Sequence, residues 1–512
     1  MKLHRLAAID IGTNSIRCIV VEVDRMGKFK VLDDEKATVR LGEGIARDNA
    51  ISAAAWNRAM DALVRMKKIV DGYGVAAVES VATSAVRRAT NGDAFVKAVA
   101  ATVGLEIAVI SGEEEAELAI LSALYNFDMA GKSYVMVDIG GGSVEVVTAL
   151  GSHIEDIYSL DHGADVLTER IITADPVRKG DYLKLRRHIR KTLQSECSDG
   201  VLPVQRLIGS GGTMTSIAAM AMAMRKEEYG SIHGHEVLRS EVVHLLAMLL
   251  RKDLKGRRAV PGLNPDRADI IVAGVTVVDE VMDFFGANLL EINERGLREG
   301  LILKALRKYN LIREERKSRS WRVSVLEFAR SCHFDEEHSL QVARLSLEIF
   351  DAVASPFNFA GKERQILEAA ALLHDVGYLI SYSGHHKHTY HLVRHADLFG
   401  FTPREREIIA NVARYHRKAL PKKKHEGFSR LSLQDRHLVR RLGGILRLAD
   451  GLDRRRNCVV TGLECSLSSV AFMVMLKGGD DVSVELFGAK AKGDLFEEAF
   501  GRKLMLVPEG GG

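Results

Sequence analysis

The 512-residue chain is poor in cysteine. Its five cysteines, Cys18, Cys197, Cys332, Cys458 and Cys465, are scattered, odd in number and form no Cys-x-x-Cys pair. That argues against a disulfide framework and for a reducing compartment. No uninterrupted apolar run of about 18 residues exists to span a bilayer as a helix. The first apolar run already contains Asp10, so it does not read as a secretory signal. No Gly-x4-Gly-Lys-Ser/Thr occurs, which excludes a Walker-type phosphate loop. Charge of neither sign dominates: 72 Lys and Arg stand against 68 Asp and Glu, a net +4, so a polyanion would have to be held by local clustering. These absences lead to the expectation of a cytoplasmic protein of about three domains.

What is present is a repeated device. Tyr134-Val135-Met136-Val137-Asp138-Ile139 reads as a buried strand, Gly140-Gly141-Gly142-Ser143 as a tight turn, and Val144-Glu145-Val146-Val147 as a returning strand. Glycines let the backbone approach a ligand, and successive amides in such a turn form an anion-binding concavity. An aspartate beside a phosphate cradle suits Mg²⁺. Asp10-Ile11-Gly12-Thr13-Asn14-Ser15 repeats the pattern 128 residues earlier, with Asp, Ile, Gly and Ser in register. Two copies about one small domain apart suggest a duplicated nucleotide- or phosphate-binding unit.

Between and beyond them the chain alternates strands and helices. Leu6–Ile11 and Ile16–Val23 read as strands, and Ser52 caps a helix that ends at Gly72 and Gly74. A strand at 79–82 runs into a Thr/Ser loop carrying Arg87 and Arg88. Arginine suits bidentate phosphate contact, although alone this would read as an exposed basic turn. Glu113, Glu114 and Glu115 open a helix, where acids commonly serve the macrodipole. A strand from Val204 leads into Gly209-Ser210-Gly211-Gly212-Thr213 and a helix, presenting free amides suited to an anion or a close-packed βα turn. A helix is expected over Asp266–Phe285.

Together Asp10–Ser15, Ala82–Asn91, Ile110–Ala116, Asp138–Glu145, Gly209–Thr213 and Leu297–Gly300 resemble the exopolyphosphatase/guanosine pentaphosphate phosphohydrolase family, a branch of the actin-like superfamily. The resemblance covers essentially the whole chain. It implies two α/β, actin-like (ribonuclease-H-like) domains, at 1–127 and 128–308, with a catalytic cleft between them. It also implies that the catalytic carboxylate precedes the small residue of the acidic turn, hence Glu115, with Glu114 as the alternative.

After the charged segment 307–320 the pattern is almost wholly helical. His338, His374-Asp375 and Asp450 lie on apolar helices at spacings that resemble the HD metallophosphohydrolase superfamily. The resemblance implies a helical HD-type domain at 321–456 and a second divalent metal on those four residues, or a retained fold whose polar residues only pair with one another. His416 reads equally as a further ligand or a phosphate contact. Basic residues accumulate from Arg394, including Lys422–Lys424 and Arg454–Arg456, with few acids between them. That is a solvated face or a polyanion track, and Tyr415 and Phe428 are too few aromatics to favour nucleic acid. Residues 457–512 read as a small α+β piece with a disordered glycine terminus.

The expected activity is processive hydrolysis of terminal phosphate from inorganic polyphosphate, by Mg²⁺- or Mn²⁺-assisted attack of water. Guanosine pentaphosphate is the alternative substrate; an actin-like ATPase and a non-catalytic polyphosphate or alarmone sensor are the alternative classes. Thr13, Asn14, Ser15, Gly141, Gly142, Ser143, Gly211, Gly212 and Thr213 would hold phosphate, and Arg87 would offset developing charge. Asp138, Glu145 and Asp10 would hold metal, and Glu115 would activate water. A homodimer is expected, with no membrane or nucleic-acid partner.

Overall fold

The computed structural model describes residues 4–24, 27–197, 204, 206–311, 320–478 and 481–509. The expected linker core at 312–319 and the glycine terminus at 510–512 lie outside the described residues. The chain divides into two compact units, one of residues 1–228 and 232–318, the other of 229–231 and 319–512.

The first unit holds two sheets of related topology. In the first, β1 (His4–Ile11), β2 (Ser15–Val23) and β3 (Phe29–Thr38) run as an antiparallel meander, and β4 (Ala77–Ala82) and β5 (Ala108–Val109) add in parallel beyond β1. In the second, β6 (Ser133–Ile139), β7 (Val144–Leu150) and β8 (His153–Leu160) repeat the meander. There β9 (Arg206–Ser210) and β11 (Leu289–Asn293) add in parallel, and β10 (Glu236–Leu238) closes the edge.

Strand β1 is covered on both faces, so Leu6, Ala7, Ala8 and Ile9 form a continuous apolar run, all buried. Its period of two sends Ala7, Ile9 and Ile11 into a core with Ala59, Leu63 and Met66 of the Ala53–Tyr73 helix. Leu6 and Ala8 share a core with Leu301, Ile302 and Leu306 of the Leu297–Lys308 helix. That helix belongs by sequence to the segment 128–308, yet its core lies on the first sheet. Conversely, Ala116, Ala119, Ile120 and Ala123 of the Gly112–Asn126 helix share a core with Met136 and Val147 of the second sheet. Both helices thus cross the sequence boundary at 127/128.

The two crossing helices touch without room for a side chain. A Cβ on Gly300 would lie 2.0 Å from the Leu118 carbonyl oxygen. Beside this contact the buried Glu299 carboxylate accepts from Ser122 Oγ at 2.9 Å and from Asn126 Nδ2, and pairs with Arg295 at 3.6 Å. The Ser52 cap and the glycine stop appear as expected, with Ser52 Oγ accepting from the Ala55 amide and Gly74 left-handed at φ 60. The helix expected from Asp266 begins instead at Ile271. Asn264 caps a short 3-10 turn at Pro265–Arg267 first, because proline at the first position favours a fresh helical start.

In the second unit, helices Glu336–Ala354, Gly361–Leu373, His385–His395, Pro403–Arg414 and Leu433–Gly451 surround one core. Strands β12 (Val460–Leu467), β13 (Ala471–Gly478) and β14 (Lys503–Pro508) follow. Phe472, Val474 and Phe496 of this last segment share the core of the helices, so 457–512 is not packed as a separate piece. The basic stretch is also less bare of acids than its sequence suggests. Arg404 pairs with Asp435, Arg430 with Glu426, Arg440 with Glu498, and Arg455 with Glu485. Lys422–Lys424 and Arg454 stay exposed.

Glu299→Ala is expected to destabilise the first unit by about 2 kcal/mol, because Asn126 and Ser122 lose a buried charged acceptor. Urea unfolding against Glu299→Gln measures it: a glutamine that keeps an acceptor oxygen recovers part of the loss, and equal stability of all three proteins would contradict the assignment.

Candidate functional site

The two hairpin turns close in the same way. The Gly12 amide donates to the Ser15 carbonyl at 3.1 Å, and the Gly140 amide to the Ser143 carbonyl at 3.0 Å. Their outward carbonyls are taken up by neighbours. Asn14 O accepts from the Val39 and Arg40 amides, while Gly140, Gly141 and Gly142 carbonyls accept from the amides of Ala164, Asp165 and Gly163 at the start of the Ala164–Ile171 helix. The amides of Thr13, Asn14, Gly141 and Gly142 have no backbone partner among the described residues. Between the turns lies a cavity of about 120 Å³.

Its walls include Asp10, Thr13, Asn14, Ser15, Glu115, Asp138, Gly141, Gly142, Ser143, Gly211 and Gly212 of the expected residues. Three expected residues do not line it. Thr213 is fully buried beneath Arg267, which donates to its hydroxyl at 3.4 Å. Glu145 stands opposite Asp138 in the β6–β7 register and accepts from Ser159 Oγ at 3.3 Å. Arg87 donates to the Ile110 carbonyl at 2.7 Å and sits behind Glu115, 3.6 Å from Oε2.

The acidic turn divides its labour by helical phase. Ser111 and Glu114 form a capping box: Ser111 Oγ accepts from the Glu114 amide, and the Glu114 carboxylate accepts from the Ser111 amide. Glu114 is therefore spent at the exposed helix start. Glu115, one position on, is buried, lines the cavity and keeps Oε2 without a hydrogen-bond partner.

Electrostatically the carboxylates crowd one another. Burial first, then Glu145, Asp10 and Asp138, holds the Glu115 carboxyl well above its ordinary range, with Arg87 opposing. Burial, then repulsion from Asp138, pushes Glu145 up to about 8. Burial also raises Asp10 to about 6, against the pull of Arg17 and Arg298, and raises Asp138 despite a hydrogen bond from Ser210. Acids that hold protons only for want of a counter-charge are the donor set a hard divalent cation fits.

Sequence reasoning passed over three arginines on the wall: Arg17, Arg267 and Arg298. Arg17 pairs in register with Asp10 just as Glu145 pairs with Asp138. It stands 128 residues before Glu145, so the repeat itself could have exposed it. Arg267 leaves the short turn after Asn264-Pro265, is 8% exposed and has an unpaired Nε. Burial lowers its pKa, with Asp165 opposing; nothing local in sequence announces it. Arg298 pairs with Asp34.

In the second unit, His338, His374, Asp375 and Asp450 come together. His338 Nε2 lies 3.6 Å and His374 Nε2 4.0 Å from Asp450 Oδ1, and His374 Nε2 lies 3.5 Å from Asp375 Oδ2. All four are buried.

Twin meander sheets with facing glycine turns, amides toward one cavity and a carboxylate cluster beside them, define an actin-like phosphate-handling enzyme. The sequence pattern of the Ppx/GppA phosphatase family matches residues 19–309, and that of the family's domain III matches 321–481. The chain belongs to the Ppx/GppA phosphatase family, and it is a hydrolase. It is 33% identical over 317 residues to exopolyphosphatase 2 of Mycobacterium tuberculosis, covering 59% of this chain and 99% of that protein. Among solved structures it is similar to the Aquifex aeolicus member of the family (27% identity, TM-score 0.53, 60% of this chain and 99% of that one). It is also similar to an exopolyphosphatase from Cytophaga hutchinsonii (25% identity, TM-score 0.56, 60% and 100%).

A Cβ on Gly142 would fall 2.4 Å from Ser84 Oγ and 2.8 Å from Thr13 Oγ1. Gly142→Ala is therefore expected to part the two turns and lower phosphate release by about 10²-fold, the cost a misplacement of about 1 Å can carry. Steady-state kinetics beside a thermal melt checks this: full turnover in a normally folded variant would contradict it.

Proposed function

We propose that the chain is an exopolyphosphatase that removes terminal phosphate from inorganic polyphosphate, processively, in the cleft of the first unit. The observation that carries this reading is the buried Glu115 carboxylate, ion-paired with Arg87 yet accepting no hydrogen bond at Oε2, in the wall of a cavity with free turn amides. The amides of Thr13, Asn14, Gly141 and Gly142, with Ser15, Ser143 and the Gly211–Gly212 turn, bind the oxygens of the terminal phosphoryl group. Gly211 takes φ 94, and a Cβ there would lie 2.6 Å from the Ile139 carbonyl, so only glycine brings this turn close.

Asp10 and Asp138, backed by Glu145, would hold Mg²⁺ or Mn²⁺, which supplies charge neutralisation at the phosphate oxygens. Glu115 takes a proton from water; the water oxygen bonds to the terminal phosphorus as the anhydride P–O bond breaks, and the shortened chain leaves with the electron pair. Arg87 acts through Glu115, fixing and partly neutralising it. Arg17, Arg267 and Arg298 provide guanidinium contacts for further phosphates. No aromatic side chain lines the cavity among the described residues, so a guanine base has nothing to stack on, which favours polyphosphate over guanosine pentaphosphate.

Phosphate release from polyphosphate, guanosine pentaphosphate and ATP, measured side by side, tests the substrate; faster release from either nucleotide would overturn it. Glu115→Gln is expected to lower turnover by about 10²–10⁴-fold while polyphosphate binding persists. Near-normal turnover would refute its role as base.

A base works ionised, and a raised pKa delays ionisation, so activity is lost as pH falls through that raised value. The acid limb of the kcat/KM profile is expected above the ordinary carboxylate range. A profile flat down to pH about 5 would contradict this.

A further inference from the structure

A second, smaller void lies behind the phosphate cradle of the first unit. Thr13, Ser84 and Gly142 line both it and the cavity, so these three residues form the wall between them. The wall is thin and uncharged. A Cβ on Gly142 would meet Ser84 Oγ at 2.4 Å and Thr13 Oγ1 at 2.8 Å, so two hydroxyls close directly on a bare glycine. Ser84 is 2% exposed, and its Oγ has no hydrogen-bond partner. A buried hydroxyl left without a partner is uncommon, and one on a wall between two cavities suits a polar guest that passes between them.

The void runs from this wall toward the surface. Ile45, Ala85 and Val166 are buried along it, Arg88 is half-buried and Glu169 is exposed. Arg87 is engaged by the Ile110 carbonyl and Glu115. Its neighbour Arg88 makes no hydrogen bond or ion pair among the described residues, so its donors are free. At the outer end Glu169 Oε1 accepts from the Gly44 amide at 3.4 Å. The loop that carries Gly44 bears on the wall itself, since a Cβ on Gly42 would lie 2.2 Å from Thr13 Cγ2. At about 10 Å³ the void holds roughly one water. A phosphate ion needs more room, and passes only as the Ser84 and Thr13 side chains turn aside.

The need for such a route follows from processive hydrolysis of polyphosphate, the reading on which this inference rests. The turn amides hold the terminal phosphoryl group innermost, and Arg17, Arg267 and Arg298 hold the units that follow it. Hydrolysis therefore leaves inorganic phosphate beneath the shortened chain. If both products leave by the front, the chain must go first, and the enzyme lets go after every cut. A processive enzyme keeps the chain, so the small product requires a second way out.

We propose that the void behind Thr13, Ser84 and Gly142 is the exit for inorganic phosphate, with Ser84 as its threshold and Arg88 as the group that draws the anion outward. The order of groups suits outward passage. Hydroxyls hand a phosphate along by hydrogen bonds without holding it by charge, and the guanidinium beyond them attracts it. The Glu169 carboxylate at the mouth repels it and keeps it from staying.

Ala85→Leu fills the void and Arg88→Ala removes its cation; neither residue lines the catalytic cavity. Both variants are followed on long-chain polyphosphate and on tripolyphosphate, by acid quench and by a sensor of free phosphate. The quench counts every phosphate cleaved, and the sensor counts only what has left the protein. On long chains both variants are expected to show a burst of bound phosphate ahead of free phosphate, with kcat about 10-fold lower. On tripolyphosphate kcat is expected to stay within about twofold of wild type, because pyrophosphate leaves by the front and opens that path. Equal losses on the two substrates would mark a packing defect and overturn the exit, as would unchanged long-chain kinetics in both variants. The wild type gives a readout that does not depend on how the variants fold. Added inorganic phosphate is expected to lower kcat even at saturating long-chain polymer, since it enters behind the bound chain; purely competitive inhibition would overturn the exit. A wild type that releases no phosphate from polyphosphate, or frees the chain after each cut, would instead defeat the underlying reading and this inference with it.

Discussion

The first unit depends on one buried polar lock. Glu299 binds Ser122 and Asn126 while Gly300 lets its helix lie against the Leu118 backbone. The two helices so joined serve opposite sheets. One carries Glu115 in its first turn and packs on the second sheet; the other carries Arg298 and packs on the first. A buried carboxylate is costly unless its oxygens are filled, and here uncharged amide and hydroxyl donors help fill them. The lock therefore fixes the distance between the two phosphate turns more firmly than apolar packing alone, which tolerates sliding.

Duplication made the site, and divergence made it asymmetric. The equivalent of Glu145 in the first copy is Arg17, so one turn is backed by Asp and Arg and the other by Asp and Glu. A site with four acids in equivalent positions would repel a phosphate. With arginine in one copy, the acids gather toward one side, and Arg17 helps hold Asp10 down against burial.

The repeat was legible because it is local: strand, glycine turn and strand lie within about a dozen residues, and their period and turn chemistry are read directly. The expected phosphate turns, Asp10, Asp138 and Glu115 accordingly meet in one cavity. Arg267 was not legible, because its place is set by a turn more than a hundred residues from either hairpin and by burial that periodicity does not record. Thr213 looked like a phosphate ligand because it follows the glycines, but helical phase turns it into the core and brings Thr215 to the cavity instead. The sheet that each crossing helix packs on was not legible for a similar reason: sequence adjacency suggests a partner, whereas apolar faces choose one.

The capping box at Ser111 and Glu114 acts as an index mark for the helix behind it. Successive residues on a helix are turned by about 100°, so whichever glutamate the cap engages decides which neighbour looks inward. An exposed serine outside the cavity wall thereby sets the azimuth of a buried carboxylate. Loss of that hydroxyl would scarcely disturb the core, yet it would free the first turn to rewind. The precision of the site is thus borrowed from its surface, and sequence drift at position 111 would be felt as a loss of aim before it was felt as a loss of fold.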